Sequence, residues 1–228
     1  MYGVDIPTIN LSLSAPNEPK ELVQSLNVIL IFTILILAPS VILVTTSFIR
    51  LAIVFAFLKQ ALGTQQMPPS QFLVSLALIL TMFIMEPAAT KAYNDGIKPY
   101  IEKEIDYEEA FIRSVKPFKT FMVKNTREKD LALFYRIRKH ENPKNIEDIP
   151  LTTLIPAFMI SELKTAFEIG FLIFLPFLVI DMVVSSVLMS MGMMMLPPVM
   201  ISLPFKLLIF VLIDGWNLLV GNLILSFK

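Results

Sequence analysis

The chain has 228 residues, 55% of them hydrophobic, and a mean hydropathy of +0.71, whereas soluble domains are about 45–50% apolar with glycine included. Only 17% of residues are charged, and 19 basic side chains balance 19 acidic ones, so no global field favours a polyanion such as nucleic acid. With no cysteine, one histidine and seven glycines, the residues for disulfides, zinc or iron–sulfur sites and phosphate-cradling loops are missing, and no metal, cofactor or catalytic activity is expected.

Residues 1–21 form a polar tail with Pro7, Pro16 and Pro19. No basic segment leads directly into a short apolar core there, so no signal peptide is read. Residues 22–92 are expected to form a first helical hairpin. Its first arm is an apolar run from Leu22 to Ile49, 28 residues; its second runs from Phe72 to Ala89. At 1.5 Å per residue each is long enough for a hydrocarbon core of about 30 Å. Arg50 and Lys59 fall in the short connection between the runs, which places that loop on the cytoplasmic side and the N-terminus and the following insert on the other.

Residues 93–150 are a polar insert: 24 of the 38 charged residues lie between Lys91 and Asp148, leaving 14 for the other 170 positions. Asp106 with Glu109 has the pattern of a capping box, and Tyr107, Ala110, Phe111, Val115, Phe118, Phe121 and Met122 then recur at spacings of three and four, which predicts an amphipathic helix. A second helix is expected from near Thr126, with Glu128 and Asp130 in its first turn and Leu131, Phe134 and Ile137 aligned, ending around His140–Pro143. His140, in the stretch HENPKNIED, reads as a solvated loop histidine. An insert of fewer than 60 residues with no disulfide or metal is small for a core of its own, so it should lean on neighbouring protein and share some phenylalanines with it.

Residues 151–228 are expected to form a second apolar hairpin, interrupted by Pro156, Pro176, Pro197, Pro198 and Pro204. Both hairpins carry one turn signature, Gly63-x4-Pro68-Pro69 and Gly192-x4-Pro197-Pro198. Glycine ends a helix in the left-handed region and proline forces the residue before it into extended backbone, so each segment reads as a helix–turn–helix apex. Glu86, Glu162, Lys164, Lys206 and Asp214 sit within the apolar pairs, with Glu168 and Asp181 close by. A charge at mid-bilayer costs about 2.5–3.5 kcal/mol on insertion scales, so these groups must be paired, hydrated or outside lipid. Lys164 and Glu168 can pair within one helix turn, whereas Glu162 and Lys206 have no such neighbour on their own helices. Six of the 13 methionines lie between Met189 and Met200, three of them consecutive at Met193, Met194 and Met195. Methionine repacks around partners of different shape, and a triplet at a turn suits a protruding ring better than a stripe.

The stretches RLAIVFAFLKQALGTQQMPP from Arg50, FIMEPA from Phe83, and LIPAFMISELKTAFEIGFLIFLPFLVIDMVVSSVLMSMGMMMLPPVMISLPFKLLIFVLIDGWNLLVGNL from Leu154 closely resemble the FliP family, with PFKTFM and NTREKDLALF of the insert matching more loosely. That family is the export-gate protein of the flagellar type III secretion apparatus, with a close relative in virulence injectisomes. The resemblance implies an all-α, membrane-associated protein of two long helical hairpins flanking a small periplasmic insert. It implies five copies assembled with FliQ and FliR, and FlhB and FlhA as further partners, in the inner membrane at the flagellar basal body. Unfolded flagellar subunits would pass through the axial channel, and the assembled hairpins would sit largely above the bilayer, buried against neighbouring subunits. The apex geometry and the deformability of methionine make Met193, Met194 and Met195 the expected gate seal; by the resemblance, Glu162 and Lys206 would pair between subunits, and Phe121 and Phe134 would form contacts between inserts or with an assembly factor.

Two other classes fit parts of the pattern. An ion-coupled transporter or channel acting alone would use Glu86, Glu162, Lys206 and Asp214 as its pathway, and would need polar, unwound segments near the bilayer centre. A scaffold that only nucleates assembly of other membrane proteins would need no pore.

Overall fold

The computed structural model describes residues 19–64, 67–138, 148–193 and 196–227, and among these every regular element is helical. The chain divides into two units, residues 1–41 and residues 42–228. The first is described through α1 (Pro19–Val44), whose segment Leu26–Val44 is apolar and long enough to cross a membrane.

The second unit corrects the expected first hairpin. The run from Leu22 to Ile49 is not one helix: α1 stops at Val44 and α2 (Phe48–Ala61) begins after a turn at residues 45–47. The break falls at Thr45-Thr46-Ser47, where the Thr45 and Thr46 hydroxyls donate to the carbonyls of Ile42 and Leu43 and so compete with helical pairing. Arg50 and Lys59 therefore belong to a helix and not to a loop, and Arg50 is buried. Neither residue lies in the loop on which the charge-based orientation rests.

Helix α2 turns at Gly63 into α3 (Ser70–Ala92). Helical structure continues through a wide five-residue turn of π type, Tyr93–Ile97, into the short α4 (Lys98–Ile101), giving one 32-residue rod from Ser70 to Ile101. Its inner face, Leu73, Ala77, Thr81 and Met85, repeats every fourth residue. Leu73 and Ala77 join Leu51, Val54 and Phe55 of α2 in the main core, with Ala166, Leu223 and Phe227.

The insert holds α5 (Tyr107–Lys124) and α6 (Glu128–Arg138). Asp106 caps α5 as its pattern predicts, its carboxylate accepting the Glu109 N–H at 2.8 Å. The insert's need for support is met at least partly within the chain: Met122 packs with Ile149, Leu154 and Phe158, the last two from the next long helix.

That helix, α7 (Leu151–Ser190), is 40 residues long and keeps Pro156 and Pro176 inside it. It runs parallel to α2, meeting it near residues 50 and 162 at one end and Leu58 and Phe177 at the other. α2 thus lies between α3 and α7. The return arm is broken: α8 (Pro198–Leu212) and α9 (Gly215–Leu225) are bent by 64°. The bend is at Asp214, which adopts left-handed backbone with φ 51°, and the ring of Phe210 lies directly against Gly215.

Candidate functional site: buried ion pairs and hairpin apexes

Burial of a charge has to be offset by a partner and by hydrogen bonds to its remaining polar atoms. Arg50 and Glu162 meet that demand together. Glu162 is fully buried and Arg50 is 3% exposed. Arg50 Nε donates to Glu162 Oε2 at 2.9 Å and Nη2 donates to Oε1, the two-pronged match of guanidinium to carboxylate. The other donors are also used: Nη1 reaches the carbonyl and hydroxyl oxygens of Ser226, each at 2.9 Å, and Nη2 reaches Asn125 Oδ1 at 3.3 Å. The guanidinium carbon lies 3.7 Å from the centre of the Phe227 ring, a cation–π contact. One side chain thereby joins α2, the end of α5, α7 and the end of α9.

Beside Glu162, Ser161 ties α7 to the start of α6. Its hydroxyl donates to Asp130 Oδ2 at 2.6 Å and accepts the Arg127 N–H at 3.0 Å, while Arg127 Nε donates to the same carboxylate at 2.9 Å. Burial would raise the Asp130 carboxyl, but the hydrogen bonds from Ser161 and Arg127 and the charge of Arg127 outweigh it and hold the group below its ordinary value.

Lys206 occupies the other end of α2. It is 2% exposed, and its Nζ donates to Asp181 Oδ2 at 2.6 Å and to the carbonyl of Ala61 at 3.2 Å. Ala61 is the last residue of α2, so the ammonium meets the negative end of that helix. Ser202 donates to the second Asp181 oxygen.

Glu162 and Lys206 are not brought together within the chain, because their partners Arg50 and Ala61 lie 11 residues apart on α2, about 16 Å of helix. The expectation that they pair between copies draws on the family resemblance and on each being a lone charge in an apolar arm; each has a partner within the chain, Arg50 and Asp181, so the second of these grounds is removed. Lys164 and Glu168 do pair along α7, at 3.4 Å. Phe121 is half-buried and packs inside the chain, 6.1 Å from Phe158 and stacked 6.0 Å from Phe227. Phe134 is half-buried on α6.

The two apexes share one backbone. Gly63 and Gly192 have φ of 75° and 73°, and α3 and α8 start at or just after the proline pairs. At the second apex the Gly192 N–H reaches the Met189 carbonyl at 3.1 Å and the Met193 N–H reaches the Leu188 carbonyl at 3.0 Å, the double closure of a Schellman motif. They also adjoin: a Cβ at Gly63 would lie 3.3 Å from Val199 Cγ1 and 3.7 Å from Lys206 Nζ. Gly192 has open space around it, Met193 is 40% exposed, and Met189, Met191 and Met200 are more exposed still. Met194, Met195 and His140 lie outside the described residues.

Arg50, Asn125, Ser226 and Phe227 were not legible as site residues. Arg50 gave the one available signal, a charge flanked by apolar residues on both sides, and hydropathy counts such a residue as a boundary.

The model of the FliP family matches residues 31–223. The chain is 51% identical to the flagellar biosynthetic protein FliP of Bacillus subtilis strain 168, over 95% of this chain and 98% of that one. It is 54% identical to the protein of the same name from Caulobacter vibrioides, over 87% and 74%, and 47% identical to that of Aquifex aeolicus, over 98% and 92%.

Proposed function

The chain belongs to the FliP family, flagellar biosynthetic components of the export apparatus, and on that premise we propose that it is a core subunit of the flagellar type III protein-export gate. Copies of it, five by resemblance, assemble with FliQ and FliR homologues around a channel that passes unfolded flagellar subunits, with FlhB and FlhA homologues as further partners. It acts in the inner membrane with its insert on the periplasmic side, as a transport subunit and not an enzyme.

The observation that supports a gate is the second apex. A left-handed glycine ends α7, two prolines restart the chain, Met193 between them is exposed, and Met189, Met191 and Met200 are exposed on either side. A gate must close against ions and still yield to chains of any composition. An aromatic ring seals but resists passage, small side chains pass a chain but leak, and the unbranched thioether does both. Met193, Met194 and Met195 from each copy converge on the axis as this seal.

Replacing all three with alanine should leave the assembly intact on a native gel yet add ion conductance to it in a planar bilayer. An intact assembly with no added conductance would place the seal elsewhere.

The lone-transporter alternative loses support, since Glu162 and Lys206 are occupied at opposite ends of α2.

A further inference from the structure

Between α3, α5 and α9 lies a groove of about 1070 Å³. Phe83 and Ile84 of α3 and Ile224 and Leu225 of α9 give it an apolar lining. Its charges are mostly basic: Lys91, Arg113, Lys116 and Lys124 face it against Glu86 and Asp95, four against two. Arg113 keeps Glu109 as a salt-bridge partner, whereas Lys91 and Lys124 have no salt bridge among the described residues.

The two kinds of lining are ordered along the groove. α5 runs antiparallel to α3, since Ser114 donates to the Ala92 carbonyl at 3.4 Å while Phe121 packs with Ile84 at the main core. That register sets Lys116 level with Lys91, and Lys124 level with Phe83. α9 reaches the Phe83 end, where Phe227 stacks on Phe121. One end therefore gathers Lys91, Arg113 and Lys116, and the other is apolar with a single cation, Lys124. The change falls where the apolar run of α3, Phe72 to Ala89, gives way to Lys91. The rod that carries it is long and apolar enough to cross a membrane. Tyr93, Tyr100 and Tyr107 are exposed just beyond, and tyrosine collects where a membrane meets water.

We propose that this groove seats an acidic glycerophospholipid, its phosphate at Lys91, Arg113 and Lys116 and an acyl chain along Phe83, Ile84 and Leu225. Basic pockets between helices at the membrane surface hold anionic headgroups by charge, and the apolar half removes the chain from water. Lys124, two turns of α5 away from Lys116, is exposed beside the chain and takes no part in holding the head. An acidic helix would need cations along the whole of α5, but the stripe Arg113, Lys116, Thr120, Lys124 turns neutral at Thr120. The proposal needs only that the chain is membrane-associated, and stands apart from the export-gate reading.

The test is native mass spectrometry of the full chain, purified in detergent, stripped of lipid and titrated with dioleoyl phosphatidylglycerol or dioleoyl phosphatidylcholine. Phosphatidylglycerol should be retained, one per copy, at concentrations where phosphatidylcholine is not. Lys91→Gln with Lys116→Gln should weaken its retention about 30-fold, Lys91→Arg with Lys116→Arg should keep it, and Lys124→Gln should leave it nearly unchanged. Equal retention of the two lipids overturns recognition of the head. Undiminished preference in the double glutamine variant overturns the site, and a loss in Lys124→Gln as large as in that variant overturns the placing of head and chain. As a second measurement, Leu225 is replaced by photoreactive benzoyl-phenylalanine and the chain is irradiated in its native membrane. An adduct of phospholipid mass supports the proposal; linkage to a polypeptide in its place overturns it and assigns the groove to a protein.

Discussion

Arg50 and Glu162, 112 positions apart in sequence, exchange two hydrogen bonds in the interior and are the point at which both ends of the second unit are tied to its middle. The pair is fully satisfied, and removal of one partner therefore has a specific cost.

Glu162→Ala strands a buried guanidinium and should destabilise the chain by about 3–5 kcal/mol. Replacing both partners, Arg50→Met with Glu162→Leu, removes both charges and should cost less than either single change. Thermal unfolding in detergent, followed by circular dichroism, checks this. A double variant less stable than both singles would mean that the pair's other bonds, to Ser226 and Asn125, dominate.

The apex glycines predict a graded pair. Gly192→Ala forces an L side chain into left-handed backbone, at about 1–2 kcal/mol, in open space. Gly63→Ala carries the same strain and also presses on Val199 Cγ1, at 3.3 Å. The Gly63 variant should therefore melt at the lower temperature. Equal loss in the two would mean that the apexes do not press on one another.

Asp130 predicts a pH dependence. Its carboxyl titrates lower in the fold than in the unfolded chain, so its bonds to Ser161 and Arg127 add stability above the unfolded value of about 3.9. That stability is lost as pH falls through the folded value. Asp130→Asn should be less stable than the parent by about 1.5–3 kcal/mol at pH 7, and the difference should shrink on acidification toward pH 3. A difference that stays constant with pH would assign the effect to packing instead.

What could be read before the structure was local. The two glycine–proline turns and the Asp106 cap each depend on residues within seven positions, and all three are present. Phe121 was correctly seen on an apolar face, but the rings that cover it, Phe158 and Phe227, are far along the chain. Arg50 was misplaced for the same reason: a charge ends an apolar window unless its carboxylate is known, and that carboxylate is on α7. The break at Thr45–Ser47 is hidden because threonine and serine lower hydropathy only slightly, while the Thr45 and Thr46 hydroxyls engage the carbonyls of Ile42 and Leu43. Asp214 turned out to mark a 64° bend, which a window average over apolar neighbours conceals.

The wide turn at Tyr93–Ile97 has a geometric effect of its own. A π-type turn inserts one residue into an α-helical rod, and one residue is about 100° of rotation. The stripe that faces α2 from Leu73 to Met85 is thus not the stripe that α4 continues. Gly96 lies against the Ala110 carbonyl of α5 at this spot, and Tyr100 reaches Tyr107 with ring centres 6.4 Å apart. The turn works as a phase step: one continuous rod addresses α2 with one azimuth and the insert with another, and deleting a single residue from it would leave the rod helical but aim its far end the wrong way.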